Sequence, residues 1–279
     1  MKLYDFDGMF DKKLTDFISA NVGKYTESEW EDIIPRLYKK FGDTPIKSVG
    51  DTPNGFYAKM TDEELVKALC THLKQGVPVS EFLCKAIEGR NAVKLLLPLL
   101  DGSEQEREYA VNLIGSADCA IQKYMDMLVS PDCGEELKNS LVDFIKEKAD
   151  LAAQRAVEYY ERGVEREFML EIMSRSVVRS DKIFDILIKE FRGDSENVPM
   201  HASYLAAYGD ERALEYLLDK IDEDGISFIE YKELLLAIES LGGTYDKQRD
   251  FSNDPYYAMF KTREVSATDI FGGADGKKG

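Results

Sequence analysis

The sequence predicts an all-α protein: a solenoid of stacked helix hairpins (an α-α superhelix) preceded by a separate N-terminal helical segment. Three observations lead there. Apolar residues recur at intervals of three and four along almost the whole chain, which gathers them on one face of a helix. Stretches with the period-two alternation of strands are hard to find. From residue 91 onward a short helix, a polar turn and a longer helix recur as a unit that closes on an aspartate. Those aspartates are Asp118, Asp150, Asp181 and Asp210, spaced by 32, 31 and 29 residues. A single hairpin cannot bury its apolar face, whereas a stack of hairpins buries a continuous core.

Residues 1–90 are helical without the repeat. TESEWEDIIPRLYKKFG, Thr26 to Gly42, opens with a capping box of Thr26 and Glu29 and carries Trp30, Ile33, Ile34, Leu37, Tyr38 and Phe41 along one stripe. Core packing is the expected use of that stripe, with a kink at Pro35. The Gly/Pro-rich connection GDTPIKSVGDTPNG, Gly42 to Gly55, leads to a second capping box, Thr61 and Glu64, and a helix that ends at Gly76.

In residues 91–243 the periodicity places about five hairpins. First helices fall near 91–100, 118–129, 150–162, 180–191 and 210–221, and second helices near 104–115, 134–148, 164–178, 198–208 and 226–241. Each closing aspartate is expected to cap the free N–H groups at the start of the following helix. Residues 244–279 form a capping segment and a tail. In NDPYYAMF, Asn253 to Phe260, Asp254 before Pro255 marks a helix start, and Tyr256, Tyr257 and Phe260 are expected to dock on the last hairpin. Gly272 to Gly279 is expected to be disordered.

Two stretches give the repeat a family likeness. LLPLLDGSEQEREYAVNLIGSAD, Leu96 to Asp118, has Pro98 on its first helix, Asp101 at the turn, and Arg107, Ala110, Leu113 and Gly115 on its second; it resembles a HEAT repeat. YGDERALEYLL, Tyr208 to Leu218, followed by ELLLAIESLGG, Glu233 to Gly243, is similar to the HEAT-like form of phycobilin-lyase-type repeat proteins. Glu106 departs from the pattern, standing where the family has Val. The resemblance implies an armadillo-type solenoid whose second helices line the concave side. It puts Tyr109, Asn112, Asn139, Asp143, Glu171, Arg175, His201, Tyr204, Tyr208 and Glu233 on or near that surface.

The stretch DKIDEDGISFIEYKELL, Asp219 to Leu235, imitates a calcium loop but fails its register. With Gly225 at the sixth position of an EF-hand loop, position 1 is Lys220 and position 12 is Tyr231. Asp222 to Gly225 therefore reads as a tight turn, with Gly225 supplying a backbone conformation that side chains disfavour, and no metal is expected. The four cysteines, Cys70, Cys84, Cys119 and Cys133, form no C-x-x-C pair, and with only His72 and His201 beside them a zinc site is not expected.

Charge and motifs narrow the function. Residues 91–243 carry 17 basic and 32 acidic residues, most of the chain's net −17. A surface of that sign repels phosphate backbones, so nucleic acid is a poor ligand. No apolar run approaches the roughly 18 residues of a membrane span, and Met1 to Phe10 does not read as a signal peptide, which makes a cytoplasmic protein the expectation. Nucleotide, nucleophile-elbow and zinc-protease motifs are absent from the sequence, and no cofactor is expected. The expectation is a non-enzymatic cytoplasmic scaffold that binds a protein or peptide, a basic one by charge, through an acidic concave face containing tyrosines. The resemblance also implies an enzyme alternative, of the bilin-lyase or DNA-glycosylase kind, and the acidic repeat region disfavours the glycosylase.

Overall fold

A computed structural model describes residues 2–90 and 92–260, and the Gly272–Gly279 tail lies outside the described residues. The architecture is all-helical: among the described residues there is no strand, only an isolated antiparallel bridge between Ile46 and Asp51. The chain divides into two compact units, Met1–Ala120 with Gly134–Leu141, and Ile121–Cys133 with Val142–Gly279.

The first unit holds α1 (Phe6–Ala20), α2 (Glu27–Gly42), α3 (Pro53–Ala58), α4 (Asp62–Gln75), α5 (Glu81–Glu88), α6 (Val93–Leu96) continued by a 3-10 turn (Leu97–Asp101), α7 (Glu104–Ile114) and the first half of α9 (Glu135–Lys146). Both expected capping boxes form: Thr26 and Thr61 accept from the backbone N–H of Glu29 and Glu64, whose carboxylates accept in return from the backbone of Thr26 and Thr61. Glu106, the departure from the HEAT pattern, closes a third with Ser103 (2.9 Å to its backbone N), which explains an acid there without any surface duty. The core is unusually aromatic. Phe6 contacts the rings of Tyr4, Phe56, Tyr57 and Phe82, and Tyr38 stacks on Phe82 at 4.6 Å. Because α4 packs on α6 and α7, and α5 on α7, the first hairpin shares this core with the N-terminal helices. The compact units therefore part beyond residue 91, where the sequence pattern changes.

The second unit holds α8 (Ile121–Leu128), the end of α9, α10 (Ala149–Glu161), α11 (Arg166–Ser174), α12 (Asp181–Gly193), α13 (Val198–Tyr208), a 3-10 turn (Glu211–Ala213), α14 (Leu214–Ile221) and α15 (Phe228–Ser240). These helices stand where the apolar periodicity put them. Their inner faces are filled by Leu170, Met173, Phe184, Leu187, Leu205, Leu217 and Leu234. Burying one such side chain contributes about 1.5–3 kcal/mol, so the interior dominates the stability of the unit.

The closing aspartates divide in their roles. Asp210 caps as expected, accepting from the backbone N of Arg212 at 3.0 Å. At α12 the cap is Ser180, and Asp181 lies one residue inside the helix, where it accepts from Arg212 Nη1 at 2.8 Å. Asp150 lies inside α10 and does not cap it. Its Oδ1 accepts from Ser176 Oγ (2.7 Å) and from the backbone N of Val177 (2.9 Å) and Val178 (3.2 Å), organising the turn between α11 and α12. Asp118 sits in the turn before α8.

The calcium-like stretch is a turn. Gly225 has φ +83°, a left-handed conformation that only glycine adopts without steric cost. Asp222 accepts from Tyr245 Oη (2.8 Å) and from Lys247, and Arg249 donates to the carbonyls of Ile221 and Glu223. Residues 245–249 are thus pinned to the loop that the sequence made look like an ion site. Helix α15 begins at Phe228, two residues later than expected, because Ser227 and Glu230 form the capping box. Residues 255–260 are helical, and Asp254 accepts from the backbone N of Phe228 at 2.9 Å. Tyr257 and Phe260 lie with ring centroids 5.0 and 5.5 Å from Phe228, as expected of a docked tail. Phe260 nevertheless stays 43% exposed and Tyr256 58% exposed, so Tyr257 is the best-covered ring of the three.

Candidate recognition surface

The ten residues expected on one face separate between the two units. Tyr109 and Asn112 on α7, with Asn139 on the first half of α9, belong to the first unit. Asn112 and Asn139 are exposed, and Tyr109 is half-buried in a cleft of about 370 Å³ with His72, Val77, Pro78 and Glu108. Burial pushes the Tyr109 phenol up. The second unit holds Asp143, Glu171, Arg175, His201, Tyr204, Tyr208 and Glu233.

Two of these seven do not face solvent, which corrects the sequence reading. Tyr208 is 1% exposed. Its hydroxyl accepts from the backbone N of Ser180 (2.7 Å) and donates to the carbonyl of Ser180 (3.1 Å), and the Arg179 guanidinium lies 4.9 Å from its ring centre. Tyr208 is therefore the clasp between the end of α13 and the start of α12. His201 is 3% exposed, and its Nε2 stands 3.2 Å from Asp194 Oδ2. Asp194 also accepts from Asn197 Nδ2 (2.8 Å) and from the backbone N of Glu196 and Asn197, and these bonds hold its carboxyl down to about 2. The pair closes the connection from α12 to α13.

Around Glu171 the structure brings two of the expected residues together. Lys146 Nζ donates to Glu171 Oε1 (2.6 Å) and to Asp143 Oδ1 (2.8 Å), so one lysine ties two of the candidate acids and joins α9 to α11. Burial opposes its charge, yet the two carboxylates hold the Lys146 ammonium above the usual lysine range. Lys146 was missed in the sequence, where its only signal was the i, i+3 spacing to Asp143 on one helix. Tyr204, half-buried on α13, has its phenol pushed up to about 12, first by burial and then by the charges of Glu171 and Glu167. Glu167 is a second residue that was not expected. Arg175 is exposed at the C-terminal cap of α11, and Glu233 is half-buried on α15, which packs against α13.

Tyr204 is a half-buried ring on α13, which packs against α11, the helix that carries Glu171 and Glu167. The protein's histidines take structural roles: His72 has Nδ1 2.9 Å from the carbonyl of Pro78, and the buried His201 stands beside Asp194 with its ring centre 6.1 Å from that of Tyr204. Burial raises the Cys84 thiol to about 11 and that of Cys70 in the same direction, which keeps both protonated near neutral pH. Among the described residues no three His, Cys, Asp or Glu side chains stand together as a metal site. Nor is any described helix long and apolar enough to cross a membrane. Comparison of the chain with protein-family models, with curated proteins and with solved structures finds no match.

Proposed function

We propose that the chain is a non-enzymatic scaffold whose hairpins stack as a HEAT-like solenoid and bind a basic or mixed-charge protein or peptide on the second helices of the second unit. Two kinds of packing support the stack. In the last three hairpins the second helix packs on the first, α11 on α10, α13 on α12 and α15 on α14, and the second helices also pack on one another, α11 on α13 and α13 on α15. Links between hairpins also recur at the repeat spacing: Arg155 donates to Asp126, 29 residues earlier, and Arg212 to Asp181, 31 residues earlier.

The observation that carries the binding reading is Tyr204, half-buried on α13 where that helix packs on α11, the helix of Glu171 and Glu167, whose charges add to burial in pushing its phenol up. A partner's Lys or Arg meets both an aromatic face and carboxylates there, a combination that gives interfaces their anchors and their salt dependence. Arg175 at the edge suits a partner of mixed charge. Tyr208 and His201 support the face from inside.

The test is a selection of a random peptide-display library on the whole immobilised chain, repeated on a chain carrying Tyr204→Ala and Glu171→Gln. Peptides kept by the first and lost from the second are expected to be rich in Lys and Arg. If no peptide separates the two chains, or those that do are acidic, the reading fails.

A further inference from the structure

The first unit leaves an apolar surface open. Of the six large residues in the α2 stripe, Phe41 is buried and Tyr38 stacks on Phe82 in the core, while Trp30, Ile33, Ile34 and Leu37 are half-buried, so core packing leaves part of the stripe in contact with solvent. Helix α1 faces it, and between the two runs a groove of about 290 Å³. Phe10 and Phe41 are its buried floor, and Leu14, Phe17 and Leu37 its walls. Apolar surface continues beyond the groove along the hairpin, with Ile18, Tyr25 and Val22 exposed, Val22 at 78%.

The charge of the rim gives the groove a direction. Lys13 and Lys40 line it, one from each helix, and among the described residues no carboxylate does. Lys13 Nζ stands 5.3 Å from the centre of the Phe41 ring, so its ammonium lies over the aromatic floor. The acidity of the chain is concentrated in residues 91–243, whereas residues 1–90 carry 13 basic and 15 acidic residues, so the lysine pair gives the slot a positive rim within a nearly neutral segment. The volume, about 290 Å³, stands at the lower edge of small-molecule pockets and suits one or two apolar side chains presented by a helix.

We propose that the α1–α2 groove docks an acidic amphipathic helix of another protein, whose apolar anchor enters between Leu14 and Leu37 while its carboxylates pair with Lys13 and Lys40. The chain then has two recognition surfaces of opposite preference, one on each unit, and joins a basic partner to an acidic one.

Trp30 is the only tryptophan, and its ring lies 6.1 Å from that of Phe17 in the groove wall, so its emission reports occupancy. The experiment is the same library selection, comparing the whole native chain with Lys13→Glu/Lys40→Glu. Both lysines are exposed, and circular dichroism checks that the variant folds. Peptides lost from the variant are expected to be net negative with a Leu or Phe anchor. The tightest should shift Trp30 emission, bind the variant at least about tenfold more weakly, and bind Tyr204→Ala as well as the native chain. The proposal is overturned if no peptide separates the two chains, if those that do are basic, or if the peptide leaves Trp30 unchanged. It is also overturned if sedimentation shows the native chain dimerising and Lys13→Glu/Lys40→Glu monomeric, since the occupant is then a second copy.

Discussion

Lys146 Nζ lies 2.6 Å from Glu171 Oε1, a bond across 25 residues of sequence that joins α9 to α11, the helix that packs against the α13 of Tyr204. Both side chains keep partial contact with solvent, so screening reduces the pair to about 1 kcal/mol or less of stability. Lys146→Met should therefore lower the melting temperature only slightly. It removes the intramolecular competitor for Asp143 and Glu171, and a Lys/Arg-rich peptide selected on this face should bind the variant more tightly. Calorimetric titration of that peptide into both chains checks this; unchanged or weaker binding means that the lysine orients the acids instead.

The hydroxyl of Tyr208 is a clasp, so its deletion should act on folding and not on binding. Tyr208→Phe leaves the backbone N–H and C=O of Ser180 without their partner, a loss of about 1–3 kcal/mol for buried groups. Urea unfolding should show a lower midpoint with an unchanged slope. Peptide affinity measured on the folded fraction should stay the same.

Asp194 makes stability depend on pH at the acid end. Its folded carboxyl titrates at about 2, below the roughly 3.9 of an unfolded Asp, so its contribution is full above the unfolded value and is lost as pH falls through the folded one. The difference in unfolding free energy between the native chain and Asp194→Asn should be constant from neutral pH to about 5 and shrink between about 4 and 2. Urea titrations across that range test the sign; a difference that grows on acidification contradicts it.

The docked tail gives a fourth expectation. Truncation before Asn253 removes the Asp254 cap from Phe228 and uncovers the ring that the half-buried Tyr257 and the partly exposed Phe260 contact, at an expected loss of about 1–3 kcal/mol, less than the full burial of two aromatics. Tyr256→Ala, at an exposed ring, should leave the melting temperature unchanged. If the truncation is silent and Tyr256→Ala is not, the docking geometry is different.

Helix positions were legible because their signals are local: apolar spacing, and caps such as Thr26 with Glu29 and Thr61 with Glu64, need only a few neighbouring residues. Even the overlooked α3 carried one, Thr52 capping and Pro53 opening the helix inside a stretch that read as a connection. The surface was less legible because it depends on contacts between helices. Tyr204 and Tyr208 are four apart and share a helical face, yet Tyr208, at the last turn of α13, turns into the Ser180 backbone. His201 looked like a groove residue until Asp194, seven positions earlier, gave it a buried partner. Asp150 read as a cap at its own helix and proved to organise a turn 26 to 28 residues away, a distance that no local pattern encodes.

The central claim, that Tyr204 with Glu171 and Glu167 forms an electrostatic recognition face, is tested most directly by one titration series. The tightest Lys/Arg-rich peptide retained by the native chain is measured by calorimetry against the native chain and against folded Tyr204→Ala, from about 50 to about 500 mM salt, a range over which screening tightens several-fold. The account predicts that affinity falls as salt rises and that Tyr204→Ala weakens binding by at least about tenfold, roughly 1.4 kcal/mol. Affinity indifferent to salt, or binding that survives Tyr204→Ala and is abolished by substitutions on the first helices such as Asp185→Lys, would contradict it.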